Sequence, residues 1–226
     1  RNKKCGKLVD KTEWHMTPQT VNAYYSPSSN EICFPAGILQ APFFSPDVLD
    51  ADNYGAIGVV IGHEMTHGFD DNGRKFNKEG NMIDWWTEED ANKFNELADK
   101  LVAQFDSIVV LGDQHANGRL TLGENIADQG GLRIAYSAYL KTQEAKEGKT
   151  VNGFTPAQRL YLSYANVWAG NIRDAEILRR TKTDEHSLGK WRVNATLKNI
   201  APFYDAFGIK DGDAMFLAPA KRVIIW

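Results

Sequence analysis

The chain has 226 residues, of which 42% are hydrophobic and 24% are charged, and its formal net charge is −3. This is the composition of an ordinary globular protein with enough apolar residues for a sizeable core. The weak net charge gives no reason to expect a nucleic acid or an anionic membrane surface as a partner. No apolar run reaches the roughly 18 residues of a transmembrane helix, so no membrane span is expected.

The chain begins Arg1-Asn2-Lys3-Lys4, without an initiator methionine or a signal-peptide pattern. We therefore expect it to be part of a longer polypeptide whose targeting segment lies outside it. Its two cysteines, Cys5 and Cys33, are too few for a disulfide framework. Two unpaired thiols are favoured over a single bridge.

Short β-forming runs follow a polar leading segment over residues 1–20. Residues 21–25 and 31–34 flank a polar turn over residues 26–30, which predicts a β-hairpin. Prolines and a glycine then predict a loop after residue 34.

Helical patterns account for most of the remaining chain. Residues 55–69 are apolar nearly all round and predict a buried helix, with Asp52 or Asn53 as its N-cap. An amphipathic helix over residues 88–110 is predicted behind Thr87. Further predictions are helices over about 122–142, 155–170, 174–181 and 202–208, and a surface loop over 141–153. The predicted fold class is therefore mainly α with a small N-terminal β-sheet (α+β).

The central motif is His63-Glu64-Met65-Thr66-His67, which fits H-E-x-x-H on the predicted buried helix. Histidines at i and i+4 share one helical face, so both imidazoles can bind one metal ion. Zinc favours nitrogen ligands, and catalytic zinc sites keep one position open. Glu64 follows the first histidine and is expected to act as the general base for an attacking water.

A chance match is the alternative, with His63 and His67 as polar surface residues. The flanking residues are apolar, so unliganded histidines and Glu64 would be buried at roughly 1–3 kcal/mol for each unsatisfied group. This cost favours a metal site.

A third ligand is expected in residues 123–128 (GENIAD), because the further histidine of the metzincin pattern is missing after His67. Glu124 and Asp128 share a helical face near a helix start. We predict that Glu124 binds the metal and that Asp128 orients a ligand histidine, with Asp70 doing the same for His67. The alternative is a carboxylate pair favoured only by the helix dipole.

Four blocks occur in order: VNAYY with FPAGILQ (residues 21–25 and 34–40), VIGHEMTHGFD (60–70), GENIAD (123–128), and His186-Ser187 with Arg192. Together they resemble the C-terminal catalytic part of the neprilysin and endothelin-converting-enzyme family of zinc endopeptidases, over nearly the whole chain. The resemblance implies a thermolysin-like zincin fold of the gluzincin type. It also implies one Zn²⁺ per chain on His63, His67 and Glu124, and short peptides as substrates.

Further roles are implied by the same resemblance. Asn22 and Ala23 match an edge-strand pair that holds the substrate backbone. His186 matches a histidine that stabilises the oxyanion, and Arg192 matches an arginine that binds a substrate carbonyl. A pocket for an apolar side chain after the scissile bond is implied at Ile38, Phe43, Val60, Val167 and Trp168. The alternatives are that His186 is a surface histidine, that Arg192 belongs to a structural ion pair, and that the five apolar residues are ordinary core.

The resemblance implies that residues 1–226 form the C-terminal catalytic domain of a longer protein. The N-terminal region of that protein would be a partner, and an extracytoplasmic location (periplasmic, secreted or membrane-anchored) is expected. Ala169 and Val223 stand where vertebrate members carry cysteines, which favours a bacterial-type member.

Two other functions stay open at this point. A zinc aminopeptidase could use the same three ligands, although no motif for gripping a free amine is found. A structural zinc domain or an inactive binding module is the second, although structural zinc usually has four protein ligands.

Overall fold

The structure, a computed structural model, describes residues 4–226, so the first three residues of the leading segment lie outside it. The described chain is mainly helical, with two small antiparallel hairpins, which confirms the predicted fold class. Its α-helices are α1 (Asp50–Asn53), α2 (Val59–His67), α3 (Glu88–Asp106), α4 (Leu122–Tyr139), α5 (Gln143–Glu147), α6 (Pro156–Val167), α7 (Asp174–Thr183), α8 (Gly189–Leu197) and α9 (Ala201–Phe207).

The predicted N-terminal hairpin is present as β1 (Tyr24–Ser26) and β2 (Glu31–Cys33). Its turn contains Asn30 at a φ of 54°, in the left-handed region that asparagine tolerates better than most residues. The first strand begins later than predicted, so Asn22 and Ala23 lie just before it.

A single long helical segment replaces the predicted helix over residues 55–69. It starts with α1, passes through a π-helical turn (Tyr54–Gly58) and continues as α2. The prediction that Asp52 or Asn53 caps it is wrong. Instead, the N–H groups of Asp50 and Ala51 donate to the Glu144 carboxylate at 2.7 and 3.2 Å, so a residue distant in sequence satisfies the first turn.

Helices α2 and α4 cross where both carry glycine. A Cβ atom added to Gly62 would lie 2.9 Å from the Cα of Gly131, and one on Gly131 would lie 2.7 Å from the carbonyl oxygen of Val59. A Cβ on Gly130 would clash with the side chain of Thr66. The two backbones are therefore almost in contact, which brings the first turns of α4 against the last turns of α2.

Two large hydrophobic clusters flank this crossing. One packs α2, α4, α6, α8 and α9 together, with Leu132, Leu160 and Tyr164 almost fully buried. The other lies under α3, where the predicted stripe supplies buried Phe94 and Phe105. The predicted cap of α3 is confirmed, because Thr87 accepts an N–H of its first turn, and Thr155 caps α6 in the same way.

Several elements differ from prediction. The expected loop over residues 141–153 contains α5, capped by the side chain of Thr142. The helix over 88–110 ends at Asp106, and a second hairpin, β3 (Val109–Leu111) and β4 (Gln114–His115), follows it. Helix α8 has neither a side-chain cap nor a clear apolar stripe, so its sequence pattern did not reveal it.

The two cysteines, Cys5 and Cys33, are free thiols, as expected. His15 and His115 are exposed. Between residues 4 and 226, no helix is long and apolar enough to cross a membrane.

Candidate active site

A cleft of about 490 Å³ opens above α2 and collects the predicted site residues. The segment around β1 forms one wall, the end of α6 and residues 185–192 form another, and α4 contributes its first turns. Every residue predicted to bind metal, act in catalysis, orient a histidine or contact substrate lines this cleft. Their individual roles remain predictions.

Three donor groups converge at the base of the cleft. The Nε2 atoms of His63 and His67 lie 3.0 Å apart, and they lie 3.3 and 3.4 Å from the two carboxylate oxygens of Glu124. Ligands on one tetrahedral zinc, with bonds of about 2.0–2.1 Å, are separated by roughly 3.3–3.5 Å. Two imidazoles and a carboxylate at these separations fit a zinc ion.

An aspartate carboxylate lies next to Nδ1 of each of the two imidazoles, on the side away from Glu124. Nδ1 of His63 lies 2.9 Å from Oδ1 of Asp128, and Nδ1 of His67 lies 2.6 Å from Oδ2 of Asp70. The other oxygen of Asp70 accepts the backbone N–H groups of Asn72 and Gly73. A proton on Nδ1 in each pair would leave Nε2 free to bind metal, and the orienting role of both aspartates stays a prediction.

The charges of the metal-free site are strongly coupled. Burial opposes a charge on His67, but hydrogen bonds with Asp70 and Glu124 outweigh it and raise its pKa to about 10. Burial also opposes a charge on Glu124, yet contacts with His63 and His67 hold its pKa well below the ordinary range. A divalent cation would take the place of these protons, because metal ligands bind in their deprotonated forms.

Glu64 lies between the two histidines in sequence and is only 5% exposed in the cleft. Burial raises the pKa of its carboxyl, while the nearby histidines partly offset that effect. A carboxylate with a raised pKa accepts a proton more readily and can return it, which suits a general base near neutral pH.

Arg192 is buried with its guanidinium bound to Asp128. Its Nε and Nη2 donate to the two oxygens of Asp128 at 2.8 and 2.6 Å, and Nη2 lies 3.4 Å from Glu124. The ring of Trp168 lies against the guanidinium, 3.9 Å from Cζ to the ring centroid. Asp128 thus has two partners, the imidazole of His63 and the guanidinium of Arg192.

His186, in the same wall as Arg192, reaches the carboxylate of Glu124. Its Nε2 lies 3.4 Å from Oε2 of Glu124, and its Nδ1 lies 2.9 Å from Oδ1 of Asp184. Asp184 in turn accepts a hydrogen bond from Arg180 at 2.7 Å. Sequence reasoning missed Asp184, although its position two residues before His186 is typical of an aspartate that bonds a nearby backbone N–H.

The apolar residues predicted to form a side-chain pocket lie along one side of the cleft. Ile38 is buried in a small cluster that Phe43 and Val60 pack against. Val167 and Trp168 come from the end of α6. Ala23 is buried in the same cluster, whereas Asn22 is exposed at the rim.

Comparison with known proteins places this geometry in a family. The sequence pattern of peptidase family M13 matches residues 22–223. The chain belongs to this family. Mouse neprilysin is 45% identical over 99% of the chain, and the neutral endopeptidase of Lactococcus lactis subsp. cremoris is 42% identical over 99% of it. Membership in M13 confirms the resemblance that the four sequence blocks indicated.

Solved structures of M13 relatives show the same fold. The crystal structure of Mycobacterium tuberculosis zinc metalloprotease ZMP1 with an inhibitor is 44% identical and covers 96% of this chain, with a TM-score of 0.91. The chain corresponds to 30% of mouse neprilysin, 34% of the Lactococcus enzyme and 34% of the ZMP1 chain. It therefore spans about a third of the length of these relatives.

Proposed function

We propose that the chain carries the catalytic centre of a zinc-dependent metalloendopeptidase that hydrolyses peptide bonds in short peptides. The observation that carries this proposal is the convergence of His63, His67 and Glu124 beside buried Glu64 in one open cleft. Family membership supports the metalloprotease class. The precise reaction, the residue roles and the substrates are our inference.

In this proposal His63, His67 and Glu124 hold one Zn²⁺, which when bound supplies Lewis-acid polarisation of the scissile carbonyl and lowers the pKa of water. Glu64 takes the proton of the attacking water and later delivers it to the leaving amine. His186 and Arg192 stabilise the negative charge that develops on the carbonyl oxygen. Arg192 donates from Nε and Nη2 to Asp128. Its Nη1 is therefore left to donate to a substrate carbonyl.

Substitution of Glu64→Gln in the full-length protein tests the mechanism. The amide keeps the shape of the side chain but cannot accept the proton, so we expect kcat to fall by at least about a hundredfold. Zinc content, measured by atomic absorption, should stay at one ion per chain, because Glu64 is not a ligand. Exposed Glu96 on α3 provides the matched control, and Glu96→Gln should keep full activity. Normal cleavage by the Glu64→Gln variant would show that the mechanism is wrong.

The substrate preference proposed here is an apolar side chain just after the cut. Support comes from the apolar wall of Ile38, Phe43 and Val60, which lies beside the metal-binding histidines. Mapping the cuts in a peptide library by mass spectrometry should reveal bulky apolar residues at that position. An even distribution of residues there would contradict the assignment.

Internal cleavage distinguishes this proposal from the aminopeptidase alternative. Asn22 and Ala23 offer backbone and amide groups along an open cleft, which suits the binding of an extended peptide on both sides of the cut. We expect the enzyme to cleave a peptide whose N-terminus is acetylated. A requirement for a free amine would favour the aminopeptidase instead.

At the level of the whole protein, we propose that an N-terminal region outside this chain completes the enzyme, since the relatives are about three times longer. We also propose an extracytoplasmic location, supported by the resemblance to the neprilysin family. Fractionation of cells that express the full-length protein, followed by activity assays on each fraction, tests the location.

A further inference from the structure

Three histidines, rather than two, face Glu124 in the same way. His63, His67 and His186 each place Nε2 within 3.3–3.4 Å of a Glu124 oxygen. Each also has its Nδ1 bonded to an aspartate at 2.6–2.9 Å. The imidazole of His186 therefore has the arrangement of a metal-binding histidine. A carboxylate bonded to Nδ1 fixes the tautomer in which Nε2 can bind a cation.

Glu185 adds a second carboxylate next to this third ring. Donor atoms of Glu124, Glu185 and His186 all lie within 4.8 Å of one another. Glu185 is exposed at the mouth of the cleft, and within residues 4–226 its carboxylate has no ion-pair partner. An unpaired carboxylate beside an oriented imidazole is a donor set that zinc accepts.

The charge of the cleft also leaves room for more than one cation. Its lining contains two arginines, Arg119 and Arg192, against six carboxylates, namely Glu64, Asp70, Asp71, Glu124, Asp128 and Glu185. The balance is four negative charges, and one divalent cation neutralises only half of it. The remaining negative potential favours a second divalent cation in the same cleft.

From this geometry we infer that Glu124, Glu185 and His186 form a second, weaker zinc site, bridged through Glu124 to the first. The distance from His186 Nε2 to Glu124 Oε2, 3.4 Å, equals the spacing of two ligands on one tetrahedral zinc. Carboxylate-bridged pairs of metal ions are common in hydrolases. This second site is open to solvent through Glu185, so it fills and empties with the external zinc concentration.

Occupation of the second site inhibits the enzyme. The inference rests on the proposed function, because His186 is assigned there to the charge that develops on the substrate carbonyl. A zinc ion on His186 occupies the nitrogen that this task requires, and it also blocks the cleft above Glu124. Excess zinc is therefore expected to act as a reversible inhibitor.

Zinc binding by the full-length protein tests the inference independently of activity. Equilibrium dialysis with atomic absorption should show a first zinc bound tightly and a second bound more weakly in the wild type. Substitution of Glu185→Gln removes one donor and should weaken the second site by at least about tenfold, leaving the first unchanged. Glu96→Gln on α3 is the matched control and should bind both ions like the wild type.

Activity measurements complete the test. Without added zinc, the Glu185→Gln variant should cleave peptides like the wild type, and it should need at least about tenfold more zinc for half inhibition. A wild type that binds one zinc and cleaves peptides, with no second ion bound, would overturn this inference and leave the proposed function intact. Equal second-site affinities in wild type and variant would also overturn it. A wild type that binds no zinc tightly would contradict both this inference and the proposed function.

Discussion

Asp128 and Asp70 each bind the Nδ1 side of a histidine ring, but only Asp128 also binds an arginine, whose charge is permanent. Asp128 is 1% exposed and binds His63 on one side and the guanidinium of Arg192 on the other. Asp70 binds His67 and two backbone N–H groups, which carry no formal charge. At the scale of single residues, the two aspartates therefore have one shared task and one that differs.

Substitution by asparagine separates the two tasks. Both Asp70→Asn and Asp128→Asn should weaken zinc binding about 10- to 100-fold, because a neutral amide supports the imidazole less well. Only Asp128→Asn should also destabilise the zinc-saturated fold beyond this loss of affinity, by about 3 kcal/mol, because it leaves the buried guanidinium of Arg192 with only the longer 3.4 Å contact to Glu124, whereas a zinc-bound imidazole of His67 is neutral. Competition with a chelator measures the first effect and urea unfolding with saturating zinc measures the second. Equal losses of stability in the two variants would contradict the assignment.

At the scale of secondary structure, the crossing of α2 and α4 brings the proposed metal ligands together. His63 and His67 lie on α2, and Glu124 lies on α4, so only the packing of the helices brings them together. Gly62 and Gly131 permit this approach, because a Cβ on either would lie 2.9 Å or less from backbone atoms of the other helix. The glycines therefore affect the proposed metal site through backbone packing, since Gly131 lies against the backbone of His63 although neither glycine is a ligand.

Gly131→Ala tests this link. The new methyl group has to push α4 away from α2, which should cost about 1–3 kcal/mol of stability. Since Glu124 moves with α4, zinc affinity should fall as well, although no ligand has changed. The control is Gly170→Ala, where an added Cβ meets no atom within 4 Å. Lower stability with unchanged zinc affinity would show that the crossing does not set the ligand distance.

At the scale of the whole molecule, the charged groups of the cleft make stability depend on pH. The raised pKa of His67, about 10, gives stability that is complete below its unfolded value near 6.5 and is lost as the pH rises toward 10. The lowered pKa values of Glu124 and Asp128 act in the opposite sense, because their contribution is present above about pH 4 and is lost in acid.

The metal-free protein should therefore be most stable between about pH 4.5 and 6.5 and lose stability as the pH rises further. With zinc bound, the imidazoles stay neutral and this loss should be absent. The rise in Tm on adding stoichiometric zinc should consequently grow between about pH 6.5 and 9. Thermal unfolding with zinc or with EDTA across this range provides the measurement. Parallel curves for the two forms would contradict the expectation.

Local patterns in the sequence were sufficient for the parts of the fold that depend on neighbouring residues. The α3 stripe, the caps at Thr87 and Thr155, and the spacing of His63 and His67 are all short-range features, and the structure contains them. Features that depend on distant contacts were not visible. The start of α1 relies on Glu144, and α8 forms by packing rather than by its own periodicity. Sequence reasoning also missed Asp184 and Glu185, because their importance comes from where His186 points.

The separation of the ligands between two helices also determines when the metal centre forms during synthesis of the protein. His63 and His67 are adjacent on one helix, but Glu124 leaves the ribosome later, after the whole of α3, and must then dock through α4. Until that docking, a nascent chain offers the two histidines without Glu124. We therefore expect high-affinity loading with zinc to follow the docking of α4 against α2, so that a zinc-loaded centre would mark a chain in which these two helices have assembled.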